Sequence, residues 1–215
     1  MRTLRKIDIE MMERELQVLE SNEQSSIIGG VFTTSCTPQQ LSAQKDCSMH
    51  AFAYVTGFSV AQVKEDFKNM YANEYFDTYY NTSQEKPWDY YYQQADNQMK
   101  AGGTGVSGAW IEKMFNECVE SGYETKNANN HFDLSVESGI KSALSSDDNN
   151  GIYASLKITD IKNEDGTTTA LSGSQNHAVV IKDYDSANGT FTYYDPQNQC
   201  SGTFNWAELT SVIMK

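Results

Sequence analysis

The pattern of apolar positions predicts a buried helix that begins directly after Asp46. Behind Cys47 the apolar residues recur at helical spacing, and they are Ala51, Phe52, Val55 and Phe58. Aspartate is favoured at a helix start because its carboxylate accepts hydrogen bonds from first-turn amides, and Gly57 ends the segment. We therefore expect Cys47 in the first turn of this helix.

Three further amphipathic patterns predict helices, and one segment between them is rich in tyrosine. Their apolar stripes are Val60, Val63, Phe67, Met70 and Tyr71; Ile111, Met114, Phe115 and Cys118; and Val136, Ile140 and Leu144. Residues 73–99 carry the tyrosines. Such a segment favours a packed aromatic insertion, and the alternative is the lining of a peptide cleft.

The pattern changes from helices to strands after residue 151. Residues 152–158, 177–184 and 190–194 are predicted strands, joined by turns at Gly166 and Gly189. We expect them to form an antiparallel sheet, on which a closing segment from Trp206 packs as a helix or a strand. The sequence therefore predicts an α+β domain, with its helices before its sheet.

Composition narrows the range of partners. The chain has 215 residues, 39% of them hydrophobic, which suffices for one sizeable core. Its formal net charge of −13 argues against nucleic acid and anionic membrane surfaces, because both require clustered Lys and Arg. No apolar run reaches the length of a membrane span, so we expect no membrane insertion and, on these signals alone, a cytosolic protein.

No metal or cofactor is expected from the sequence. The four cysteines include no CxxC pair, which argues against a zinc ribbon, and a disulfide between Cys36 and Cys200 is left open. Residues 183–189 are only faintly similar to a calcium loop, because Ala187 replaces a ligand. The glycine-rich run at 102–108 lacks the lysine of a phosphate-binding loop.

Residues 1–30 differ from the rest of the chain and end in two glycines. An amphipathic helical stripe precedes Gly29 and Gly30. A glycine pair ends a helix and, without side chains, also fits a narrow protease cleft. The segment is therefore either a helix followed by a linker or a removable leader.

The leader interpretation is supported by a resemblance. Leu16, Leu19 and Ile27, followed by Gly29 and Gly30, resemble the double-glycine leader peptides of bacteriocins and related bacterial export substrates. The resemblance implies that a peptidase-containing ABC transporter recognises the apolar side chains and cuts after the second glycine. It also implies that the protein is cytoplasmic as a precursor and secreted as residues 31–215, which overturns the cytosolic expectation.

Three residues further along the chain provide the parts of a nucleophilic site. A thiol at a helix N-terminus, here Cys47, has a lowered pKa because of the helix dipole. His177 opens an apolar strand, and Asp195 lies in the next strand near the same end of the predicted hairpin. In such a site the thiolate attacks a carbonyl, the imidazolium protonates the leaving amine, and the carboxylate orients the imidazole ring.

The same residues carry a second resemblance, over residues 36–215. Asp46-Cys47, His177 before an apolar strand, and Asp195-Pro196 are similar in type, order and spacing to papain-like cysteine peptidases, most closely the bacteriocin-processing peptidases of double-glycine transporters. The resemblance implies a papain-like fold, with the Cys47 helix packed on a C-terminal antiparallel sheet. It makes Cys47 the nucleophile, His177 the general acid and base, and Asp195 the orienting residue.

One position departs from the family pattern. These enzymes usually have an oxyanion-hole glutamine six residues before the cysteine, where this chain has Leu41. Gln40 is the expected substitute and Gln44 the alternative, either acting beside the Cys47 backbone amide.

The sequence thus predicts a secreted bacterial cysteine peptidase whose partner is a peptide or protein substrate. It lacks transmembrane and ATPase parts, so it is not expected to be the processing enzyme of a transporter. One alternative, supported by Leu41, is an inactive papain-like scaffold that acts as a leader-bearing bacteriocin-like or interaction protein. Another is an amidase or acyl transferase that uses the same three residues.

Overall fold

The computed structural model describes residues 32–37, 40–41, 45–146, 150–163 and 165–215. The predicted leader residues Leu16, Leu19, Ile27, Gly29 and Gly30 lie outside the described residues. None of the described helices is both long and apolar enough to cross a membrane.

The described residues form an α+β fold, as the sequence predicts. Five α-helices precede most of the sheet: α1 (Cys47–Thr56), α2 (Val60–Tyr79), α3 (Trp88–Met99), α4 (Gly108–Met114) and α5 (Leu134–Leu144). Seven strands follow or flank them: β1 (Thr33–Thr34), β2 (Glu124–Asn127), β3 (Ile152–Lys162), β4 (Thr168–Asp185), β5 (Thr190–Asp195), β6 (Cys200–Asn205) and β7 (Leu209–Met214). They form one sheet in the order β1-β6-β5-β4-β3-β7-β2, and every neighbouring pair is antiparallel.

Local signals in the sequence account for the helix boundaries. Ser59 begins α2, and its hydroxyl accepts a hydrogen bond from the Gln62 amide at 3.2 Å. Gly57 ends α1 at a φ of 77°, a conformation that glycine adopts without steric cost, and its amide donates to the Ala53 carbonyl. The predicted end of the first helix at Gly57 is confirmed.

The structure differs from the predicted pattern in several places. The helix after Ser107 is α-helical only to Met114, and residues Phe115–Val119 continue it with π-helical hydrogen bonding. The sequence left the closing segment as a helix or a strand, and it is strand β7. Strands β1, β2 and β6 were not predicted, because they are short and mostly polar.

The sheet lies between two apolar clusters, one on each face. Successive residues of a strand point to opposite faces, so Ala178 and Val180 pack with helices α1 to α4, whereas Val179 and Ile181 pack with α5. Helix α1 therefore packs its buried residues against the centre of the sheet.

The β4–β5 hairpin brings two of the predicted site residues to one end of the sheet. The register pairs Val180 with Tyr194, so His177 and Asp195 both lie at the end of the hairpin away from its turn at Gly189. The predicted strand pairing around this turn is confirmed.

Candidate active site

The thiol of Cys47 lies at the first residue of helix α1 and is buried. First-turn amides of a helix have no acceptor within the helix, and they concentrate positive potential there. Cys47 and Cys118 are the free cysteines among the described residues. Cys118 is half-buried, with its sulfur 3.8 Å from the sulfur of Met70.

His177 and Asp195 form a buried hydrogen-bonded pair beside this thiol. The Nε2 atom of His177 lies 2.7 Å from Oδ2 of Asp195, and both side chains are almost fully buried. Cys47 lines the same cleft as His177, and the imidazole acts on the thiol through a side-chain hydrogen bond and its charge, both of which lower the thiol pKa. The structure thus brings together the three residues that the sequence singles out.

The pKa values of the three groups favour a thiolate beside an imidazolium. Burial raises the pKa of the Cys47 thiol, but the hydrogen bond and charge of His177 outweigh it, so the pKa lies below its ordinary value. Burial lowers the pKa of His177, but its bonds to Asp195 and Cys47 raise the pKa well above its usual range. Burial raises the pKa of Asp195, but the hydrogen bond to His177 outweighs this effect, so the Asp195 pKa lies below its ordinary value. Such a pair supplies a nucleophile and a proton donor side by side.

Asp195 is fixed by the turn that follows it. Its Oδ1 accepts a hydrogen bond from the backbone amide of Gln197 at 3.0 Å, and its Oδ2 accepts one from the side-chain amide of Asn198 at 2.8 Å. The Cys36–Cys200 disulfide packs against the same carboxylate, with both sulfurs within 3.9 Å of Oδ2. These contacts hold the carboxylate that orients the imidazole.

Asp46 does not cap helix α1, which corrects the prediction from the sequence. Its side chain makes no capping hydrogen bond and is buried. It pairs instead with Lys64 of α2, with the side-chain amide of Gln197, and with Nε2 of His50 at 3.4 Å. Burial raises the pKa of Asp46, but the bonds to His50 and Lys64 outweigh it and lower the pKa to about 2. An ionised carboxylate therefore stands directly before Cys47.

The structure does not bring Gln40 to this site. The side chain is exposed, and its Oε1 accepts the backbone amide of Thr37 at 2.8 Å. Gln40 is not among the residues that line the cleft at Cys47, and Gln44 lies outside the described residues. The predicted role of either glutamine in an oxyanion hole stays a prediction.

A cleft of about 1120 Å³ opens beside Cys47 and His177. The buried hydroxyl of Tyr153 lies in its wall and donates to Oγ of Ser48 at 3.1 Å, and Ser48 in turn donates to the Val106 carbonyl. This chain of bonds positions the first turn of α1 at the cleft surface. Tyr71, Tyr75 and Trp110 line the same cleft.

One group of side chains among the described residues has the spacing of a metal site. The sulfurs of Cys36 and Cys200 and a carboxylate oxygen of Asp195 lie within 4.8 Å of one another. The two sulfurs are bonded to each other, so neither is a thiolate available to a metal.

Sequence reasoning missed Lys64, Gln197, Asn198 and, in the cleft lining, Tyr71 and Trp110. Tyr75 belongs to the tyrosine-rich segment for which the lining of a peptide cleft was the alternative prediction. Asn198 had a local signal, because Asp-Pro-x-Asn is a sequence typical of a tight turn in which side chains bond nearby backbone. Lys64 had none, since its contact with Asp46 depends on how α2 lies against α1.

Comparison with known proteins adds no relative to this description. No protein-family model, curated protein or solved structure matches the chain.

Proposed function

We propose that the chain is a papain-like cysteine peptidase that hydrolyses peptide bonds through Cys47, His177 and Asp195. The observation that carries this proposal is the buried hydrogen bond between His177 and the Asp195 carboxylate, with the Cys47 thiol on the wall of the same open cleft as the imidazole. The order of helices before an antiparallel sheet also fits this fold.

The proposed reaction has two stages. The Cys47 thiolate attacks the substrate carbonyl carbon, and the His177 imidazolium gives its proton to the departing amine as the carbon–nitrogen bond breaks. Neutral His177 then takes a proton from water, which attacks the thioester and releases the acid, restoring the thiolate and imidazolium. Asp195 keeps the ring oriented throughout. The backbone amide of Cys47 is the first donor for the developing oxyanion.

Cleavage of a diverse peptide library by the full chain tests the proposal, with products identified by mass spectrometry. We expect hydrolysis that Cys47→Ser and His177→Ala abolish. His131 is exposed, with its Nδ1 atom 3.1 Å from the nearby Asn129 carbonyl oxygen, so His131→Ala is a matched control that should retain activity. Library cleavage that survives Cys47→Ser would contradict the assignment. Products that carry a new acyl acceptor instead of water would identify an acyl transferase, and release of ammonia would identify an amidase.

The position of Gln40 favours one rival function. If neither Gln40 nor Gln44 donates to an oxyanion, the chain is an inactive scaffold whose biological role is binding. In that case Cys47→Ser leaves the biological activity of the secreted protein intact, whereas the peptidase proposal requires its loss.

Export belongs to the same proposal and rests on the sequence alone. The precursor is cytoplasmic, and a peptidase-containing ABC transporter removes residues 1–30 during secretion. Co-expression with such a transporter should yield an extracellular form that begins at Val31. Gly30→Val should block this processing, because a branched side chain does not fit a cleft shaped for two glycines. Secretion of an unprocessed wild-type chain would contradict the leader assignment.

A further inference from the structure

The cleft beside Cys47 has an aromatic wall that the proposed bond cleavage does not use. Tyr71 and Tyr75 of α2 and Trp110 of α4 line it together with Cys47 and His177. Binding clefts of this size bury several side chains of a ligand, so the wall has room for a substrate group beyond the reacting bond.

The three rings are held in place before any ligand arrives. The centroids of Tyr71 and Tyr75 lie 4.4 Å apart with nearly parallel planes, and Trp110 lies 5.1 Å from Tyr71. Behind them the fully buried Phe67 contacts both Tyr71 and Trp110 at 5.8 Å. A preformed aromatic surface loses little conformational entropy on binding, which favours affinity.

The rest of the cleft near these rings is polar and largely uncharged. Gln94, Asn97 and Gln98 contribute side-chain amides. No Asp or Glu occurs among the described residues of the lining, although the chain contains 29 of them. Such a surface suits an uncharged ring flanked by peptide groups, because the amides can bond the peptide backbone.

We propose that Tyr71, Tyr75 and Trp110 form a subsite that binds an aromatic side chain of a peptide. This inference deepens the proposed function and rests on it for the peptide nature of the ligand. An incoming ring joins the cluster by offset stacking or edge-to-face contact, and either geometry favours it over a saturated ring of equal size by roughly 2- to 12-fold in affinity.

Binding of paired peptides to the full chain carrying Cys47→Ser tests the subsite without requiring catalysis. The probes are dye-labelled, uncharged octapeptides with one phenylalanine, or one cyclohexylalanine, placed at each position in turn. Fluorescence anisotropy gives the affinities. We expect phenylalanine to bind roughly 2- to 12-fold tighter than cyclohexylalanine at one position. Equal affinities at every position overturn the inference.

Variants locate the preference in the molecule. Tyr75→Leu and Trp110→Leu, each added to Cys47→Ser, should bring the affinity ratio close to one. Tyr80→Leu is the matched control, because Tyr80 is 57% exposed and lies outside the cleft lining, and it should leave the ratio unchanged. Circular dichroism checks that each variant is folded. A ratio retained in both folded cleft variants overturns the inference.

The same peptides offered to the wild-type chain separate this inference from the proposed function. Cleavage without an aromatic preference supports the peptidase proposal and contradicts the aromatic subsite. Aromatic-selective binding without cleavage supports the subsite and contradicts the peptidase proposal.

Discussion

The buried carboxylate of Asp46 lies one residue before the proposed nucleophile, where its negative charge would oppose a thiolate. Lys64 offsets that charge, His50 lies 3.4 Å from the same carboxylate, and Gln197 joins Asp46 to the turn that holds Asp195. The lowered pKa of Asp46 means that this group contributes stability above pH 3.8, and the contribution is lost as pH falls through about 2. Lys64 therefore keeps the carboxylate compatible with the Cys47 thiolate.

We predict that Lys64→Met raises the pKa of Cys47 and lowers the free energy of unfolding by about 1–3 kcal/mol. The variant leaves a buried charge with only part of its compensation, which is costly in an apolar surrounding. Urea unfolding and the pH profile of Cys47 alkylation measure the two effects.

Two further variants make this test specific. Asp46→Asn in the Lys64→Met background should restore the alkylation profile, because the uncompensated charge is gone. Lys68→Met, one helical turn further along α2, breaks a pair with the more exposed Glu65 and should lower the free energy of unfolding less than Lys64→Met does. Equal effects of the two lysine variants would show that Asp46 has no special role.

A second prediction concerns the ion pair of Cys47 and His177. Because the thiol pKa is lowered and the imidazole pKa is raised, iodoacetamide should alkylate Cys47 quickly well below the ordinary thiol pKa. In His177→Ala the rate should rise only near that ordinary value. Mass spectrometry of the Cys47 peptide separates its reaction from that of Cys118, and His131→Ala serves as the control.

The rate of peptide cleavage should therefore fall at both low and high pH. Activity falls at low pH when the thiolate gains a proton, and at high pH when the imidazolium loses its proton. A rate of alkylation that follows an ordinary thiol in the wild-type chain would contradict the ion pair.

The identity of individual site residues could be predicted only where local sequence carries the signal. Cys47 follows a helix-start residue and His177 precedes a run of apolar residues, so the sequence points to both, although β4 begins at Thr168 and His177 lies inside it. The function of Asp46 was misjudged, because its preference for helix starts is a local property, whereas its contacts with Lys64 and Gln197 are set by packing. Gln40 was chosen by counting from Cys47, and counting does not reveal that its side chain is exposed.

At the scale of elements, the edge of the sheet beside Asp195 depends on one glycine. Gly202 in β6 lies opposite Thr34 of β1, and a Cβ atom at this position would come within 1.9 Å of the Thr33 carbonyl oxygen. Because the clash is with backbone, it can be relieved only if strand β1 moves. Strand β1 leads directly to Cys36, so its position affects the disulfide as well.

We predict that Gly202→Ala displaces β1 and lowers the free energy of unfolding by about 1–3 kcal/mol. Gly108→Ala is the control, since a Cβ atom there meets nothing within 4 Å and α4 favours alanine over glycine. Thermal unfolding of the two variants checks the difference. A melting temperature of Gly202→Ala equal to that of Gly108→Ala would refute the steric argument.

Elements were predictable where periodicity and turns agree. Strands β3 to β5 have apolar residues and glycine turns in sequence, so their pairing follows from neighbours in the chain. Strand β6 has a polar surface and a glycine, and its other partner, β1, lies about 170 residues away. A pairing between strands so far apart in sequence leaves no local pattern, and the two-residue β1 is too short to show a periodicity.

For the molecule as a whole, the Cys36–Cys200 disulfide ties the start of the described domain to the sheet across 164 residues of sequence. A cross-link that closes so long a loop restricts the unfolded chain strongly. It also packs against the Asp195 carboxylate, so one covalent bond supports both the fold and the candidate site.

We predict that Cys36→Ala combined with Cys200→Ala lowers the free energy of unfolding by about 2–5 kcal/mol. Cys118→Ala, which removes a half-buried free thiol, should cost less. Denaturant unfolding under oxidising conditions compares the variants. If the double variant unfolds at the same denaturant concentration as the wild type, the disulfide does not stabilise the domain.

The span of that disulfide also bears on what becomes of a damaged molecule. Residues 36 and 200 enclose Cys47, His177 and Asp195, so one backbone cut at any point between the two cysteines leaves both pieces covalently joined. A peptidase that nicks itself there would migrate as a single intact band on a gel until a reductant is added. A self-inflicted cut between the two cysteines would therefore be visible only in a reduced sample.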